Sequence, residues 1–135
     1  MKKLLAIAAV LFLLVVSVRP VSNFLISTSL KNPAKPWAPA TAFNCCRALY
    51  WVGHHADACA GIEQAIVAFP DHPDVPQAYY WAGVCQENQR NFENARAWYE
   101  ATIAQYPQHT AATAAQRRLG DMGALGRRGE RTKRK

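Results

Sequence analysis

The side chains best equipped for chemistry crowd into one stretch: Cys45, Cys46, His54, His55 and Cys59, with Cys85 further on. Adjacent Cys-Cys and His-His pairs point to different faces of a helix. The spacing of these five residues also fits no standard zinc pattern, so no metal site is expected. A nucleophile made from Cys59 with His55 one helical turn away is conceivable, but nothing in the sequence supplies a group to orient the base. Cys45 and Cys46 fall at packing positions, where a thiol acts as a small hydrophobe. In an oxidising compartment the pair to watch is Cys59 and Cys85. Cys59 opens the second helix of one hairpin and Cys85 lies near the end of the first helix of the next, so a disulfide is geometrically allowed. There is no Gly-x-Ser-x-Gly, no glycine-rich phosphate loop after a strand and no pair of carboxylates on one face. The chain reads as non-enzymatic and without a cofactor.

The elements that must position these residues are helices. Over Ala78 to Pro107, Tyr79, Ala82, Gly83 and Gln86 share one helical face, and Phe92, Ala95, Tyr99 and Thr102 share another. Small residues alternate with large ones, so two helices can approach closely and interlock. Pro107 ends the second helix. The pattern recurs at a spacing of 37: Cys46 matches Gly83, Gly53 matches Arg90, His55 matches Phe92, Ala58 matches Ala95, Ile62 matches Tyr99 and Pro70 matches Pro107. One further shift sets Ala115 and Leu119-Gly120 on Ala78 and Ala82-Gly83, giving a third copy of the first helix without its second. The expectation is an all-α fold: a short solenoid of two helical hairpins plus a capping helix, preceded by an N-terminal hydrophobic helix.

With these residues in place the second copy resembles a tetratricopeptide repeat, whose pattern runs Trp-x2-Leu-Gly-x2-Tyr, then Ala-x3-Phe, then Pro. Tyr79, Ala82-Gly83, Gln86, Ala95, Tyr99 and Pro107 occupy those places; Ala42, Cys45-Cys46, Leu49, Ala58, Ile62 and Pro70 form a more degenerate first copy. The extra residues in the period lie in Asp71 to Pro76, and the Ala-rich helix that follows carries Arg117-Arg118-Leu119. This resembles a bacterial envelope subset of the family, which includes the Tol-Pal-associated periplasmic coordinator. The resemblance implies a scaffold that binds another protein's peptide or helix. The first helix of each pair would line a concave groove, presenting Phe43, Arg47, Tyr50 and Trp51, then Gln77, Tyr80, Val84, Glu87 and Asn88, then Arg117 and Asp121. Aromatic, Arg and amide side chains combine contact area with hydrogen bonding, as peptide-binding surfaces do. The bland alternative is that Trp51 and Tyr80 pack on the linker or the anchor.

The ends differ from this body. Lys2-Lys3 precede fifteen uncharged, almost wholly apolar residues, Leu4 to Val18, and Arg19-Pro20 close the run. Residues 1–20 read as an uncleaved signal anchor or a cleaved secretory signal, with membrane contact through 4–18. No small-x-small site follows closely; Ser27-Thr28-Ser29 is the nearest candidate. Residues 21–38, with Pro33 and Pro36, read as an extended linker, 39–122 as the repeat domain and 123–135 as a basic disordered tail. The net charge is +7, of which Lys2 and Lys3 give +2 and residues 127–135 give +5. The body is therefore neutral and not a nucleic-acid surface. An extracytoplasmic body, periplasmic in a bacterium, is the preferred placement. The alternative is a cytoplasm-facing protein whose tail meets nucleic acid or anionic lipid, and a cysteine-based metal or redox protein is a third class. With so few repeats, a homo-oligomer through an uncapped end is also in view.

Overall fold

The computed structural model describes the backbone of residues 2–133 and the side chains of residues 7, 12, 13 and 16–124. Among the described residues there are six helices and no strand: α1 Lys2–Lys31, α2 Ala38–Trp51, α3 His55–Ala68, α4 Val75–Asn88, α5 Phe92–Gln105 and α6 Thr110–Lys133. They form two compact units, Met1–His72 and Pro73–Lys135. Helices α2 and α3 have the same lengths as α4 and α5, and each boundary recurs 37 residues on: Ala38 at Val75, Trp51 at Asn88, His55 at Phe92, Ala68 at Gln105.

Local chemistry sets those boundaries. Pro39 and Pro76 lie in the first turns of α2 and α4, where a missing amide proton costs nothing and φ is already helical. Pro39 thus stands in the opening turn of the first repeat helix. Both first helices of the pairs end in the same motif. Gly53 N–H donates to the Tyr50 carbonyl and His54 N–H to that of Leu49; Arg90 N–H donates to Glu87 and Asn91 N–H to Gln86. This pair of hydrogen bonds is the Schellman ending, which needs a left-handed residue at its centre. Gly53 (φ 86) and Arg90 (φ 61) supply it. His54 and Asn91 then stand at the N-caps of α3 and α5, without a side-chain capping bond.

In the first unit α1 packs along α2 and touches α3. Its second half departs from the sequence expectation: the helix passes Pro20 and continues to Lys31, through most of the stretch read as linker. Two physical causes account for this. The hydroxyls of Ser27, Thr28 and Ser29 donate back to carbonyls at Phe24 and Leu25, so these residues are satisfied within the helix. Ser22, Ile26 and Ser29 are buried against the hairpin, and packing overrides composition. Pro20 is exposed, so the carbonyl whose bond it removes lies on the outer side. The core beneath holds Leu49, Cys46, Ala58, Ile62, Ala65 and Phe69.

In the second unit α4 and α5 form one hairpin and α6 packs on both. Gly83 lies under Tyr99, where a Cβ would come within 2.5 Å of the ring. The close approach is a large-into-small fit that only glycine permits. Phe92, expected to pack inward, is instead half exposed. Helix α6 does not stop at Gly120 or Gly123 but runs to Lys133. Each glycine costs about 1 kcal/mol relative to alanine without breaking a helix, and no proline follows. The side chains of the basic tail from residue 125 onward lie outside the described residues, as do most of those in Leu4–Val18 on which the anchor reading rests. Among the described residues no helix is long and apolar enough to cross a membrane.

Candidate partner-binding surfaces

The eleven residues expected to line one groove fall into two sets, one in each unit. In the first unit Phe43 is buried, edge-on to Phe69 at 6.4 Å and stacked on His72 at 5.4 Å. The end of α3 therefore covers it, and it faces the core rather than a partner. Arg47 is exposed, its guanidinium bonded to Asn44 Oδ1 at 2.6 Å. Tyr50 leans on His55 at 5.0 Å and on Trp51 at 6.0 Å, while Trp51 itself is exposed.

The second unit gathers its members more closely. Tyr80 is half-buried, with its ring 5.8 Å from that of Tyr99. Tyr99 is fully buried, and its hydroxyl donates to Glu87 Oε2 at 2.7 Å. Glu87 Oε1 accepts from Arg118 Nη1 at 3.4 Å. A hydrogen bond to Tyr80 and the nearby Glu87 hold the Arg118 guanidinium charged beyond its ordinary range. Burial first, and the Glu87 carboxylate second, push the Tyr99 phenol well above its ordinary pKa. A polar network, Tyr80–Arg118–Glu87–Tyr99, thus ties α4, α5 and α6 together. Asn88, Arg117 and Asp121 are exposed beside it, Gln77 is half-buried, and Val84 is buried. Val84 belongs to the core because α4 is covered on more than one side, where a one-face reading of a helix fails.

Arg118 and the Tyr99 hydroxyl were missed as site groups. The signal for the second was present: a buried Tyr needs a partner for its O–H, and a carboxylate on the neighbouring helix is an obvious one. Arg118 gave no such signal, because choosing it over Arg117 depends on how α6 is rotated against α4. The first unit also holds an open cleft of about 230 Å³ between α1 and α3, with Asn23, Ser27, Asp57 and Gln64 around Ile26 and Gly61. It was invisible while residues 21–31 read as linker.

The cysteine and histidine set stays dispersed. Among the described residues no three His, Cys, Asp or Glu side chains could jointly hold a metal ion. Burial pushes the Cys46 thiol up to about 12; it also raises that of Cys45, which is less buried and whose shift a bond from Ser22 opposes. Cys46 is thus a protonated packing residue at neutral pH. His55 Nδ1 is buried with no hydrogen-bond partner. Cys59 and Cys85 are buried thiols, one in each unit.

No curated protein matches the chain. Residues 47–110, from the middle of α2 to the first residue of α6, match the family model described as Tetratricopeptide repeat, and this supports the tetratricopeptide family for the repeat region.

Proposed function

We propose that the chain is a non-enzymatic protein-interaction module that a membrane holds by its N-terminal run, with its body extracytoplasmic, as in the bacterial envelope proteins it resembles. The partner, a peptide or helix, lies along the α4–α6 side of the second unit. One observation carries this reading: Tyr80, Glu87 and Arg118 are held by one another while still partly open to solvent, with Asn88, Arg117 and Asp121 beside them. Such a surface offers aromatic area, fixed charge and amide hydrogen bonding without the entropy cost of ordering loose side chains. Trp51 in the first unit offers a separate exposed aromatic.

The test is crosslinking and pull-down with the full chain against Tyr80→Ala and Arg118→Glu variants whose helicity matches the parent. At least one partner should be lost, with a drop of about tenfold or more for truncation of a central aromatic. An unchanged partner list would count against this surface. A reporter fused after Lys135 checks the placement of the body, and a cytoplasmic signal would sink the extracytoplasmic assignment.

A further inference from the structure

We infer that α1 is a retained membrane anchor whose second half is built into the first unit, so that the α2–α3 turn with Trp51 lies at the lipid headgroups. This rests on the membrane attachment proposed above and specifies its geometry. The register of α1 is fixed by three contacts. Arg19 Nε is bonded to Asp57 in the first turn of α3. Ser22 bonds Cys45 on α2. Ile26 closes over Gly61, where an added Cβ would meet Ile26 Cδ1 at 3.2 Å and Cys46 Sγ at 2.8 Å. From Arg19 onward α1 therefore lies against the hairpin, and Asp57 marks the end of that hairpin where its turn lies. Everything before Arg19 runs past this end: Phe12, seven residues earlier, is about 10 Å further on at the helical rise.

On that projecting part Ile7 (57%), Phe12 (69%), Leu13 (62%) and Val16 (53%) are exposed apolar side chains, Val18 is half-buried, and the one described polar side chain, Ser17, is satisfied within the helix by donating to the Leu13 carbonyl at 2.8 Å. At about 100° per residue, Ile7, Phe12 and Leu13 are spread round the whole helix rather than along one stripe. A second helix or copy of the chain would cover a single stripe; only acyl chains satisfy a helix that is apolar on every side. Charge brackets the same segment. Lys2 and Lys3 stand before it, Arg19 after it, and nothing charged lies between. Fifteen residues span about 22 Å; at one end Lys2 and Lys3 can snorkel to the headgroups, and at the other Arg19, held by Asp57, marks where the helix meets the hairpin. At the emerging end stands Trp51, 73% exposed and edge-on to Tyr50, where an aromatic pair matches the headgroup layer.

The same packing argues for retention. The nearest candidate cleavage site, Ser27-Thr28-Ser29, lies inside the packed half, with Ile26 and Ser29 buried. A cut there would strip Ile26 from Gly61 and leave the hairpin face open.

The test uses the full chain in vesicles of phosphatidylcholine and phosphatidylglycerol whose acyl chains carry bromine near the headgroups. Trp fluorescence should be quenched in the parent and in Trp98→Phe, and most of that quenching should be lost in Trp51→Phe. Intact mass of chain recovered from cell membranes should show residues 1–31 retained. Vesicle-bound protein with quenching unchanged by Trp51→Phe, or a membrane-recovered form cut before residue 31, overturns the inference while attachment stands. Recovery in the soluble fraction, as monomer or dimer, overturns the attachment itself.

Discussion

Gly53 and Arg90 show how much one position can carry. They are equivalent in the two hairpins and share a left-handed backbone, yet only Gly53 adopts it without a Cβ. Left-handed backbone costs a residue with a Cβ roughly 1–2 kcal/mol. The site is open at Gly53, with nothing within 4 Å of an added Cβ, so conformation alone is at stake. Arg90→Gly should therefore stabilise the chain by about 1 kcal/mol, and Gly53→Ala should destabilise it by a similar amount. Chemical denaturation of the full chain reads both. Equal and negligible changes would show that the turn tolerates either residue. The alignment of Gly53 with Arg90 was visible in the sequence; the shared backbone followed only once both Schellman bonds were seen.

At the scale of elements, the four helices of the two hairpins were legible, and a helix at each end was expected, but not that α1 continues to Lys31 or α6 to Lys133. Boundaries at Pro39, Pro76, Pro70 and Pro107 are written in local chemistry, and a spacing of 37 repeats them to the residue. The second half of α1 depends on long-range packing instead. Its Ser, Thr and Asn residues read as loop because their hydroxyls and amides compete with the backbone, a competition the structure resolves through back-bonds within the helix. The polar network on α6 was illegible for the same reason, since Arg118 reaches Glu87 only through the rotation of one helix against another. Ile26 gives a direct measure of the first case. It is buried against Gly61, so Ile26→Ala should cost about 2–4 kcal/mol of stability. A linker residue would cost nothing, and a denaturation midpoint equal to the parent's would return residues 21–31 to that status.

At the scale of the whole molecule, charge is partitioned as sharply as hydrophobicity. Lys2 and Lys3 contribute +2, residues 127–135 contribute +5, and everything between them sums to zero. A neutral body has little long-range attraction for an anionic surface, so nearly all salt-sensitive binding must come from the ends. The two ends are expected to act differently. On the membrane attachment proposed above, the apolar run would bind acyl chains by burial, which salt hardly weakens, whereas basic residues near an anionic surface contribute about 1 kcal/mol each and are screened beyond roughly 10 Å at 0.1 M salt. Deleting residues 127–135 should therefore lower affinity for vesicles containing phosphatidylglycerol by at least about tenfold at low salt. Binding to purely zwitterionic vesicles should stay as it was, and the salt dependence of the truncated chain should be nearly flat. Vesicle co-sedimentation across a salt series measures all three quantities. If the truncated chain keeps the parent's salt slope, the charge that meets the membrane lies at Lys2, Lys3 and Arg19 instead, and the C-terminal basic residues serve another purpose.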